Sequence, residues 1–211
     1  MRRILILISM VVCLGSLWMA LGPGQIVPVE RNILYAHVPS SICALLCFVV
    51  VFIASIAYLA SARRLWDYIS AAAAEAGTVF AFGLNATGMV FSRAEWNIWW
   101  TPSPRLVSSA ILLFLYLVYL ILRSSITQSF HRRAKVCAIF GIIAFLDVPM
   151  VIISARFLPD IHRASFSFES SWQSAALMLN MLAMVLLAVI LIWLRIDQLR
   201  NRSYLEERII S

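Results

Sequence analysis

Residues 94–105, A-E-W-N-I-W-W-T-P-S-P-R, place Trp96, Trp99 and Trp100 and two prolines between two apolar runs of membrane-spanning length. Three indoles so close together, followed by Pro102 and Pro104, do not make an ordinary hydrophilic turn; tryptophans gather where a bilayer meets water. Working outward, the whole chain has the same character. Its 211 residues are 63% hydrophobic and only 13% charged, with a mean hydropathy of +0.91, far more apolar than a soluble domain. A hydrocarbon core of about 30 Å takes about 20 apolar residues as a helix, whereas a transmembrane barrel needs shorter segments of alternating polarity. The runs here are helix-length. The expected fold is therefore all-α: a polytopic membrane protein, one membrane domain over 1–211, with six spans at about 4–21, 41–62, 68–91, 106–122, 136–155 and 174–194 and the Trp-rich loop at 92–105.

Arg2 and Arg3 ahead of the first run fit either a signal peptide or a span. No small-x-small cleavage site precedes Gly22 and no lipobox surrounds Cys13, so the run is read as span 1. Residues 22–40 are expected to be a loop carrying Glu30, Arg31 and the Y-A-H-V-P segment with His37 and Pro39. Span 3 holds many small residues that allow close helix approach, together with Glu75 and Asn85. Span 5 holds Asp147 two residues ahead of Pro149, and a structural role at a proline bend is the favoured reading of that acid. The tail from Arg195 reads as a short amphipathic surface helix. Cys13, Cys43, Cys47 and Cys137 all fall inside spans, where free cysteine behaves as a small hydrophobe.

The net charge of +7 comes mostly from arginines in short loops, which sets membrane orientation and does not call for nucleic acid. Twelve of the seventeen basic residues lie at the termini and in the turns at 63–64 and 123–135; the other three loops hold five. The positive-inside rule thus makes both termini cytoplasmic. It also puts His37, the Trp-rich loop and His162 on the outer side together.

That convergence suggests a ligand. Neutral imidazole ligates haem iron, and an axial pair needs two histidines approaching opposite faces of one porphyrin. Indoles bury the apolar macrocycle well, and guanidinium pairs with its propionates, for which Arg105 and Arg31 are candidates. The bland alternative is an interfacial histidine beside an aromatic belt, a reading that also fits Trp18, Trp66, Trp172 and Trp193. His131, beside Arg132 and Arg133, reads as solvated. No phosphate loop, zinc-type spacing or serine nucleophile motif occurs, so nothing marks the chain as an enzyme.

The segments I-L-Y-A-H-V-P at 33–39, 77–91, W-N-I-W-W at 96–100, Arg105-Leu106 with L-L-F-L-Y at 112–116, and D-V-P at 147–149 through His162 resemble, in order, the cytochrome c assembly protein family, most closely its haem exporter protein C branch. The resemblance implies that His37 and His162 are axial ligands of haem b carried as a transported ligand. It further implies that Trp96, Trp99, Trp100 and Arg105 hold the porphyrin. The implied setting is a bacterial inner membrane, where haem passes to a membrane-anchored haem chaperone beside ABC-type haem exporter subunits. Where the family continues Trp-x-Trp-Asp-x-Arg, this chain has Pro102 and Ser103 in place of the second tryptophan and the aspartate. Two other readings stay open: a relative of the system II cytochrome c synthetase, and a scaffold subunit that binds no haem.

Overall fold

The computed structural model describes residues 2–21, 29–127, 129–158 and 171–210. Among them the chain forms seven helices: α1 (Arg2–Leu21), α2 (Val29–Ser61), α3 (Arg64–Trp96), α4 (Pro104–Ser125), α5 (Phe130–Phe145), α6 (Asp147–Phe157) and α7 (Ser171–Ile210). Four segments are long and apolar enough to cross a bilayer: Asn32–Ser61, Pro104–Ser125, Phe130–Ser154 and Trp172–Leu205. The core lies where α2, α3, α4 and α5 meet, around Phe48, Val51, Ala73, Leu112, Tyr116 and Cys137. Cys43, Cys47 and Cys137 are buried free thiols within it, in keeping with their reading as small hydrophobes. The α2–α3 contact is the most extensive in the molecule, while α1 rests mainly on α7.

Local chemistry explains the boundaries. Ala62 takes a left-handed φ of 52° and returns its N–H to the Tyr58 carbonyl at 2.8 Å, closing α2 before α3 starts at Arg64. Asn97, with φ 60°, ends α3 the same way, its N–H donating to the Arg93 carbonyl. Pro104 opens α4 in the first helical turn, where a missing N–H costs no hydrogen bond. Ser129 caps α5, its side chain accepting from the Arg132 N–H.

Four expectations are corrected. His37 and Pro39 do not sit in a loop: α2 begins at Val29 and carries both inside it. Pro39 cannot donate to the Tyr35 carbonyl four residues back, yet α2 runs through it without interruption. The Trp-rich loop is shorter than 92–105, because α3 continues through Trp96 and α4 starts at Pro104. The span expected at 136–155 is two helices, α5 and α6, parted at Leu146. Pro149, in the first turn of α6, cannot donate to the Phe145 carbonyl, and the helix is interrupted at the single residue Leu146, whose backbone stays right-handed helical. Finally, the tail beyond Arg195 is no separate surface helix. It continues α7 without interruption over 40 residues, about 60 Å at the helical rise and about twice the hydrocarbon thickness.

Helix alternation gives the bundle two chemically different ends. At one, Arg123 donates bidentately to Asp67 at 2.7 Å through its two terminal guanidinium nitrogens, with the Asp67 side chain only 2% exposed. Nearby on α3, Glu75 accepts from Arg195 of α7 at 2.6 and 3.0 Å, and the Tyr68 hydroxyl donates to Ser203 Oγ at 2.8 Å. These contacts extend α7 as a helix where hydropathy falls. The opposite end carries His37, the C-terminal turns of α3 and the Trp-rich loop.

Candidate functional site

A cavity of about 440 Å³ opens at that opposite end between α2, α3, α4 and α6. Leu34, Val38, Leu45, Leu84, Phe91, Leu106, Val151 and Ile152 give it an apolar wall. His37, Asn85, Ser109, Arg105 and Arg156 give it a few polar groups, a balance usual for sites that hold an apolar ligand with charged substituents.

His37 enters from α2. Its Nδ1 lies 3.0 Å from the Thr87 hydroxyl oxygen of α3. The Gly88 backbone beside it leaves room for the ring: a Cβ added at Gly88 would stand 3.3 Å from His37 Cε1. Across the cavity, Asn85 and Ser109 satisfy one another, the Ser109 hydroxyl donating to Asn85 Oδ1 at 3.2 Å and the Asn85 amide donating to the Ser109 and Ala81 carbonyls. That pairing fixes α3 against α4. The Ser108–Ser154 hydroxyl contact at 2.9 Å fixes α4 against α6. Arg105, one residue into α4, and Arg156, near the end of α6, both line the cavity and are its two cationic residues.

The indoles stand outside the lining. Trp96 meets Phe91 edge-on, with ring centroids 5.5 Å apart, so it backs a wall residue and not the cavity itself. Trp99 and Trp100 are 56% and 45% exposed. Arg93 lies over the Trp99 ring at 5.8 Å and donates to the Asn97 carbonyl at 2.6 Å, which orders the start of the loop. Together with Ile98 these rings form an exposed apolar rim.

Among the described residues no three His, Cys, Asp or Glu side chains come together to hold a bare metal ion. One imidazole, two guanidiniums and an apolar wall suit a different ligand, a flat macrocycle that brings its own equatorial nitrogens and two carboxylates.

The sequence profile of the Heme exporter protein C family matches residues 1–210. The chain belongs to that family. A ccmC-like mitochondrial protein of cytochrome c biosynthesis from Marchantia polymorpha is 30% identical over 151 residues, 71% of this chain and 62% of the relative. Heme exporter protein C of Escherichia coli K12 is 26% identical over 140 residues, 66% and 57% of the two chains. The protein of that name from Rhodobacter capsulatus is 26% identical over 186 residues, 84% and 77%. The chain thus spans about three fifths of the length of the first two.

For this member of the haem exporter protein C family, the structure brings His37 and Arg105 to one cavity, sets Trp96 behind its wall residue Phe91, and leaves Trp99 and Trp100 exposed outside the lining. His162 and the Arg31 side chain lie outside the described residues. Arg156 and Thr87 were not singled out from the sequence. The sequence places the end of its fifth span at 155, one residue short of Arg156, whereas α6 runs one residue past it. Thr87 touches a residue fifty positions away, and no local spacing signals such a contact.

Proposed function

We propose that this chain is a six-span inner-membrane protein, both termini cytoplasmic, that holds haem at the outer face during cytochrome c maturation. It catalyses no covalent chemistry of its own and passes the haem to a membrane-anchored chaperone beside ABC-type exporter subunits. The observation that carries the reading is a single cavity lined by His37, which α3 holds, and by Arg105 and Arg156. In this reading His37 is one axial ligand and His162 the other. Arg105 and Arg156 pair with the propionates. The bound haem supplies an iron with two open axial positions, and the chain's residues bind, orient and shield it. Trp96, Trp99 and Trp100 cover the exposed macrocycle edge from the rim, where a chaperone has access. The family relatives named for haem export and cytochrome c biogenesis support this assignment.

Expression with haem supplementation and purification in detergent tests the proposal. It predicts a coloured protein with a sharp low-spin absorption spectrum. Replacing Arg105 and Arg156 together by Gln should weaken haem retention while leaving the band positions unchanged, since the guanidiniums do not touch iron. A stable, colourless protein would overturn the proposal in favour of the scaffold reading, with which Pro102 and Ser103 also accord.

A further inference from the structure

The hydrogen bonds around Thr87 decide which nitrogen of His37 carries the proton. The Thr87 hydroxyl has one hydrogen, and its oxygen lies 2.6 Å from the Gly83 carbonyl and 3.1 Å from the Leu84 carbonyl. Carbonyls only accept, so that hydrogen is committed to the helix backbone. The hydroxyl can then offer His37 Nδ1 only a lone pair, and the 3.0 Å contact requires Nδ1 to be the donor. In the neutral ring this puts the remaining lone pair on Nε2. The bonds run in one direction, from imidazole N–H to hydroxyl to backbone carbonyl, so each polarises the next.

The neighbouring residue of α3 shapes the same edge of the ring. Gly88, the next residue of α3, presents bare backbone at the point where any Cβ would press on His37 Cε1 at 3.3 Å. Thr87 and Gly88 together therefore make a seat for the imidazole, one supplying the acceptor and the other the space. The seat stands on a rigid part of the bundle, since Asn85 of the same turn is tied to α4.

We infer that Thr87 is a positioning residue: it holds His37 in the Nδ1–H form, with Nε2 presented to iron, and raises the donor strength of that nitrogen. The inference rests on the reading of His37 as a haem ligand. A ligating histidine whose second nitrogen donates a hydrogen bond is oriented and made more basic, and loss of such a partner typically lowers metal affinity about 10- to 100-fold. A more basic ligand also favours ferric over ferrous iron.

The test uses the full chain in detergent, with haem titrated into wild type and into Thr87→Val, Thr87→Ser, Gly88→Ala and His37→Ala. Thr87→Val keeps the branched shape of the side chain and removes only the acceptor. Its haem affinity should fall about 10- to 100-fold, and the midpoint potential of the haem it does bind should move positive. Thr87→Ser, which retains the hydroxyl, should restore both. Gly88→Ala shifts the ring and leaves Thr87 in place; it should weaken binding with a smaller change in potential. Should Thr87→Val prove too unstable to load, the Thr87→Ser and Gly88→Ala potentials decide the matter, and a shift in Ser as large as that in Ala overturns the inference. If His37→Ala abolishes the low-spin spectrum while Thr87→Val matches wild type in affinity and potential, the positioning role fails and the ligand reading survives. If His37→Ala leaves the spectrum intact, both fail.

Discussion

Gly77 of α3 packs directly against Phe48 and Cys47 of α2. A Cβ added there would fall 2.6 Å from Phe48 Cε1 and 2.9 Å from Cys47 Cβ. Phe48 cannot yield, because it is fully buried and stacked on Tyr116 with centroids 3.5 Å apart and planes 12° from parallel. Gly77→Ala should therefore separate the two helices and destabilise the bundle by about 1–3 kcal/mol, the usual cost of overpacking. Equilibrium unfolding in mixed detergent would measure it, and an unchanged midpoint would show that the contact is looser than drawn. The small residues of α3 were legible as a close-packing surface from the sequence. Which of them meets Phe48 was not, because that depends on how the helices are rotated about their axes.

At the scale of elements, the Asp67–Arg123 pair joins the start of α3 to the end of α4, with the two side chains only 2% and 11% exposed. Removing one partner of a buried pair leaves an uncompensated charge. Asp67→Asn should cost about 3–5 kcal/mol, while Asp67→Leu combined with Arg123→Met should cost far less. Thermal inactivation of the two variants side by side would separate these outcomes; equal losses would mean that the pair is not desolvated. Arg123 and Arg195 were read from the sequence only as topology-setting charges. Both in fact hold helices together, and the Glu75–Arg195 pair is one reason α7 continues where hydropathy predicts an end. Pro39 misled in the opposite sense. It reads as a helix boundary, yet α2 runs from Val29 to Ser61 through it, which moves His37 from a loop to a position on a helix. Pro149 behaved as expected of a proline, since α5 and α6 part just ahead of it.

At the scale of the whole molecule, the all-helical character of the described chain and its membrane-length segments follow directly from composition and run length. The count of six spans needs α1 and α3 to cross as well. α3 carries Asp67 and Glu75, and in a bundle those acids are carried by the arginines of α4 and α7. Single cysteines placed in a cysteine-free background at 63 and 98 should label from opposite sides of the membrane in intact cells or spheroplasts. Labelling of both from one side would remove α3 as a span and put the Trp-rich loop on the wrong face. The cavity itself could not have been drawn from the sequence: its wall takes residues from four helices, and tertiary packing alone brings Arg156 to it and Thr87 to His37.

The most direct check on the central claim is the electron paramagnetic resonance spectrum of the ferric, haem-loaded protein. Axial ligation by His37 and His162 predicts a low-spin signal with the anisotropy of two imidazoles, replaced by a high-spin signal in His37→Ala and in His162→Ala alike. A low-spin signal that survives either substitution unchanged would contradict it.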